Sequence, residues 1–197
     1  MRTRSKLILA GLGATLLMAF AINTAAARTF SVDNQTFRGT FNNLRFEASG
    51  LNDTCRVTLE GSLHARTIEK TPGSLVGYIT RVITGQCSLA TTVLTSTLPW
   101  HISYEGFSGR LPEITLIILR AANTKFRIIE CLSEATFRFR ISRDPRTRHL
   151  ILLEVPRQNA PIIEGGILCP SEGNFESVGR GQIYLQGSNT RVSLTLI

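Results

Sequence analysis

Apolar and polar side chains alternate down most of this chain with a period of two. In Cys55–Arg66, "CRVTLEGSLHAR", Val57, Leu59, Leu63 and Ala65 share one face, while Arg56, Thr58, Glu60, Ser62, His64 and Arg66 share the other. That is the pattern of a half-buried antiparallel strand. Gly61 interrupts the apolar face and predicts a bend or bulge. Pro72-Gly73 suits the centre of a turn, and "LVGYITRVI" (75–83) then returns, so the two runs predict a long hairpin. Further short runs follow the same rule: "LRFEA" before them, and "ITLIILRAA", "KFRIIEC", "ATFRFRIS", "HLILLEV", "GQIYLQ" and "RVSLTLI" after, each bounded by Gly, Pro, Asn or Asp. No segment carries a 3.6-residue apolar stripe capped at both ends. About ten short strands predict an all-β antiparallel domain, a β-sandwich with a closed β-barrel as the alternative. No repeat, low-complexity tract or linker divides it.

The N-terminus breaks the pattern. Arg2, Arg4 and Lys6 precede an uncharged run from Leu7 to Ala27, which ends on small residues with Ala25 and Ala27 in a small-x-small arrangement. Residues 1–27 read as a signal peptide cleaved after Ala27, and residues 28–197 as a single β domain. A transmembrane anchor is the competing reading, since the run is long enough to span a bilayer. The polar, small end and the missing basic cluster beyond it favour cleavage. The processed chain is expected to be secreted or held in the cell envelope, and not to be an integral membrane protein. An outer-membrane barrel would need aromatic girdles, and aromatics make up only 7% of this chain.

Four cysteines, Cys55, Cys87, Cys131 and Cys169, lie behind the export signal. An even count in that compartment predicts two disulfides. Short loops close more readily than long ones, which favours Cys55–Cys87 and Cys131–Cys169 among the three possible pairings. No C-x-x-C pair supports a redox site or zinc ribbon, and His64, His101 and His149 are too scattered to suggest a metal centre. No metal and no cofactor is expected. The leader holds three of the 22 basic residues and none of the 14 acidic ones, which leaves five excess positive charges downstream. Only Lys70 and Lys125 among those cations are lysines, a bias that fits a GC-rich genome better than phosphate recognition.

The stretch "TLPWHISYEGFSGRLP" (97–112) concentrates aromatic and polar chemistry. Its strand "WHISY" sends Trp100, Ile102 and Tyr104 one way and His101, Ser103 and Glu105 the other. The apolar set reads as core. The polar set raises the possibility of a secreted hydrolase built around His101 and Glu105. Neighbours on one face of a strand are about 7 Å apart, however, too far for a Ser–His hydrogen bond, and no G-x-S-x-G elbow accompanies Ser103. No catalytic residue is assigned.

"FRFRISRDPRTRH" (137–149) is the densest charge feature. Phe137, Phe139 and Ile141 should point inward and Arg138 and Arg140 outward, with Arg143, Arg146 and Arg148 near a turn at Asp144–Thr147. These five arginines form a candidate anion-binding hairpin for an anionic envelope polymer or glycan. The plain alternative is a charged edge that keeps strands from pairing between molecules. Nucleic acid is disfavoured by the compartment and by the lack of interleaved exposed aromatics.

The stretches "CRVTLEGSLHARTIEKTPGSLVGYIT" and "LPWHISYEGFSGRLP" resemble small secreted two-disulfide β-rich bacterial proteins of uncharacterised function. The likeness covers most of residues 28–197. It implies export and a bacterial source, and gives no residue a role. The expectation is a non-enzymatic exported domain with a binding or structural task in the envelope.

Overall fold

The computed structural model describes residues 29–48, 50–110, 113–144, 146, 147 and 149–196. The expected leader, with its expected cleavage after Ala27, and Arg148 lie outside the described residues. Among those described, strands follow one another without an α-helix: β1 (Thr29–Val32), β2 (Thr36–Ala48), β3 (Leu51–Leu63), β4 (Thr67–Glu69), β5 (Leu75–Cys87), β6 (Thr91–Val93) and β7 (Trp100–Arg110), then β8 (Glu113–Ile128), β9 (Cys131–Arg143), β10 (Leu150–Glu154), β11 (Gln158–Glu164), β12 (Glu172–Ser177), β13 (Gln182–Tyr184) and β14 (Leu194–Leu196). No helix among them is long and apolar enough to cross a membrane.

All pairings are antiparallel. One large sheet runs β9-β11-β12-β2-β3-β5-β7-β8, and β8 pairs back onto β9, so the pairings close into a ring. Near the other ends of β2 and β9 the ring closes through β13 and β10, where Leu153 and Gly181 exchange both backbone hydrogen bonds. A three-stranded sheet, β14-β1-β4, packs at that end and contributes Phe30, Val32 and Ile68 to the core.

The predicted hairpin of residues 55–83 is the β3–β5 pair, and its register shifts at Glu60/Gly61. A Cβ at Gly61 would sit 2.1 Å from the Tyr78 carbonyl oxygen, so the close approach of β5 needs a glycine there. Thr71–Ser74 forms the turn, closed by Ser74 N–H to Thr71 O at 3.0 Å, with Gly73 at φ +87°. Several strands are longer than their apolar runs suggested. "ITLIILRAA" and the first four residues of "KFRIIEC" are one strand, β8, joined across a bulge at Ala122–Asn123 where Asn123 takes φ 59°, while Ile129 and Glu130 make the turn and Cys131 opens β9. Asparagine tolerates that conformation. The bulge restores the inward phase, so Ala121 and Thr124 are both buried. In β2, a shift at Asn42–Asn43 likewise lets Phe41 and Leu44 both face inward.

Aromatic rings form the middle of the core. Trp100 stacks on Phe137, Phe137 on Phe175, and Phe175 meets Phe126, which meets Phe46, linking β7, β9, β12, β8 and β2. The Trp100 indole donates to Thr97 Oγ1 at 2.8 Å, which satisfies its one polar atom. An apolar cavity of about 80 Å³ remains toward the small sheet, between Ile79, Leu119, Phe139 and Leu153.

The two disulfides are Cys55–Cys87 and Cys131–Cys169, as the loop-length argument expected. The first joins register partners on β3 and β5. The second ties the start of β9 to the β11–β12 loop.

Candidate functional site

Along β9, Phe137, Phe139 and Ile141 are buried and Arg138 and Arg140 exposed, as period two requires. The same period places Arg143 on the inward phase with Ile141, where it is half-buried and its Nε is buried without a hydrogen-bond partner. Arg146 is exposed at the turn. Asp144 Oδ1 accepts from the backbone N–H of Arg146 at 2.7 Å and of Thr147 at 3.3 Å, and the Arg146 bond holds its carboxyl below the usual range. The hairpin is docked at its base, where His149 Nδ1 and Ser193 Oγ lie 2.8 Å apart. Its arginines therefore do not share one face, and Arg148 lies outside the described residues.

Arg138 also has an acid partner. Its Nε donates to both oxygens of Glu105, at 2.9 and 3.0 Å. This occupies the carboxylate that a His101–Glu105 site would use. His101 is exposed, with its ring 4.8 Å from that of Tyr78, whose other side meets His64 at 4.5 Å. Among the described residues no hydrogen bond joins His101 to a carboxylate.

Two concave stretches of the outer surface carry arginines. One, between β8, β9 and β11, is lined by Arg120, Arg138 and Arg157, with a volume of about 760 Å³. Its charges are largely spoken for: Arg138 by Glu105, and Arg157 by Glu47 and Glu176. The other, of about 730 Å³, lies on the outer face of β13, β2 and β3. Antiparallel registry builds it from residues distant in sequence: Tyr184 opposite Arg38, Arg38 opposite Glu60, and Thr40 opposite Thr58. Arg191 joins through its bridge to Tyr184, and Arg56 lies beyond Thr58 on β3.

The electrostatics of this second groove differ from those of the first. Among the described residues Arg38, Arg56 and Arg191 form no salt bridge. Arg38 is positioned by donation to Ser188 O at 3.2 Å and Asn189 Oδ1 at 3.5 Å. The Arg56 stem lies against the space that Gly85 leaves by having no side chain. Among the described lining residues the one carboxylate is Glu60, buried and held by Arg81 and Gln186 at 3.4 Å each. Apart from Glu60, the floor between the cations is neutral: the Thr40 and Thr58 hydroxyls meet at 3.0 Å, with Gln182 beside them. Sequence reading identified Arg56, Thr58 and Glu60 as a polar strand face. It had no signal for Arg38 and Arg191, which only strand pairing brings to that face.

One buried acid has a purely architectural role. Asp53 is fully buried and accepts from Ser88 Oγ at 2.7 Å, Leu89 N–H at 2.7 Å and Thr91 N–H at 3.0 Å. Burial pushes its pKa up, but hydrogen bonds from Thr91, Ser88 and Leu89 outweigh it and hold the group below 3.8. Asp53, Cys55 and Cys87 are close enough to suggest a metal site, yet both sulfurs are consumed in a disulfide and offer no thiolate.

At the same end of the ring the β11–β12 loop exposes Ile167 and Leu168 almost completely, at 105% and 91%. They are the central residues of a turn closed by Cys169 N–H to Gly166 O at 2.9 Å, and the Cys131–Cys169 bridge anchors it.

Comparison of the chain with family models, with curated proteins and with the solved structures finds no match.

Proposed function

We propose that this chain is an exported bacterial, non-enzymatic binding domain that takes an anionic polymer of the cell envelope in the groove of β2, β3 and β13. One observation carries the reading: among the described residues, three arginines that form no salt bridge line a concavity of about 730 Å³ whose one carboxylate, Glu60, is held by Arg81. That size is in the range of ligand sites. Unpaired cations around a concave surface raise the local concentration of anions. The leader and two disulfides fit an extracytoplasmic location, and a disulfide-tied ring of strands holds the groove in one shape, which limits the ordering cost of binding.

Retention of the mature domain on immobilised hyaluronan, eluted with salt, tests the assignment. Charges outside the core are screened over about 8 Å at physiological salt, so elution should come early in a salt gradient. The triple variant Arg38→Gln, Arg56→Gln, Arg191→Gln should flow through, while Arg140→Gln with Arg146→Gln should elute like the parent. Loss in the hairpin variant alone would return the site to the hairpin, and equal loss in both would mean retention by overall charge rather than by the groove. N-terminal sequencing of protein from the extracellular or envelope fraction tests export, with Arg28 expected first.

A further inference from the structure

Resting on that reading of the groove, we infer that its ligand carries widely spaced anionic groups separated by hydroxyl-rich neutral stretches, as in a polysaccharide with one carboxylate per disaccharide. The groove does not favour a dense polyanion such as polyphosphate. The positions of the cations make the case. Arg38 and Arg191 stand at one end, in the row Arg191, Tyr184, Arg38, Glu60. Two strand spacings separate their backbones, about 10 Å. Arg56 stands at the other end, two residues past Thr58, whose partner Thr40 is itself two past Arg38. Four residues of strand place that end about 13 Å away.

Among the described residues that line the groove no cation stands in the interval, and Arg81, outside the lining, is engaged with Glu60. Thr40, Thr58 and Gln182 occupy it, and Glu60 lies on its floor beside Arg38. A chain with a charge on every unit would set anions over these neutral groups and over the Glu60 carboxylate, each desolvated without a counter-charge, at a cost in free energy. A chain with hydroxyls in that interval meets two hydroxyls, an amide and a carboxylate acceptor, all able to hydrogen-bond it. Tyr184 and the exposed Ile83, opposite Thr58, add apolar surface suited to the face of a sugar ring. The cations also stay in place, because Arg38 is tied to Ser188 and Asn189 and the Arg56 stem is seated on Gly85.

Calorimetric titration of the mature domain with a hyaluronan hexasaccharide, a hyaluronan disaccharide and polyphosphate decides the matter. The hexasaccharide presents several spaced carboxylates and should bind. The disaccharide has one and should bind at least about tenfold more weakly, the value of one charged contact of about 1.4 kcal/mol. Arg56→Gln should bring the hexasaccharide down toward the disaccharide and leave the disaccharide unchanged, with an unaltered thermal melt showing that the fold persists. If polyphosphate binds more tightly than the hexasaccharide and the arginine variants weaken it, the groove is an anion site but the spacing inference is wrong. If neither polymer binds, the reading of the groove falls with it.

Discussion

Arg138 reaches across β8 to hold Glu105 of β7, with its Nε 2.9 and 3.0 Å from the two carboxylate oxygens. The pair joins a residue of the arginine hairpin to the one carboxylate available to a catalytic reading of His101. Half-exposed ion pairs contribute about 0–1 kcal/mol. Glu105→Gln should therefore shift the melt little and leave hyaluronan retention within about twofold, since the groove arginines are untouched. A large gain in retention would mean that freed Arg138 belongs to the binding surface.

Asp53 predicts acid sensitivity. Its folded-state pKa is depressed, so its contribution is fully present above the unfolded value near 3.8 and is lost as pH falls through the lower folded value. Stability measured by chemical denaturation should fall below about pH 4. Asp53→Asn should flatten part of that fall. It should also cost about 1–3 kcal/mol at neutral pH, because an amide cannot accept from three converging donors as a carboxylate does.

Trp100 is buried structure, 2% exposed, and packed on Phe137. Truncation to Ala should cost about 3–5 kcal/mol and reduce the yield of folded protein. The wild-type tryptophan emission should be blue-shifted and resistant to acrylamide. A water-like spectrum would contradict the packing.

Ile129 turns the chain between β8 and β9 at φ 55° and is half exposed. A β-branched residue is out of place there, and a left-handed conformation costs an ordinary L-residue about 1–2 kcal/mol. Ile129→Asn should raise the melting temperature, since asparagine adopts this conformation and is preferred in two-residue hairpins. An unchanged or lower melt would show that the Ile129 side chain contributes packing of its own.

Ile167 and Leu168 sit at the centre of an exposed turn, positions that usually favour Gly, Asn or Asp. Replacing both with Ser should change stability by no more than about 0.5 kcal/mol each, with the Cys131–Cys169 bridge still forming on non-reducing peptide mapping. A marked destabilisation would mean that these side chains pack against the ring.

Period-two alternation, the turn at Pro72-Gly73, the bulge at Gly61 and the even cysteine count were enough to determine an all-β antiparallel chain, the β3–β5 hairpin, both disulfides and the buried face of Trp100. These are local signals, or, for the disulfides, signals set by chain length between partners, and a single strand expresses them without knowing its neighbours. Arg143, grouped by the sequence with the arginines of the turn, falls instead on the inward side of β9. Strand partners and register are different. Each pairing between distant segments depends on which edges meet once the core collapses, and residues 38, 56 and 191 share a groove only because β2 lies between β3 and β13. Bulges at Asn42–Asn43 and Ala122–Asn123 shift the alternation by one residue within a strand, which in sequence looks like the end of one strand and the start of another. The partner of Arg138, the hydrogen bonds of Asp53 and the unneutralised arginines of the groove are contacts between strands far apart in the chain. Tertiary structure alone decided them, because a side chain's charge environment is set by what packing brings beside it.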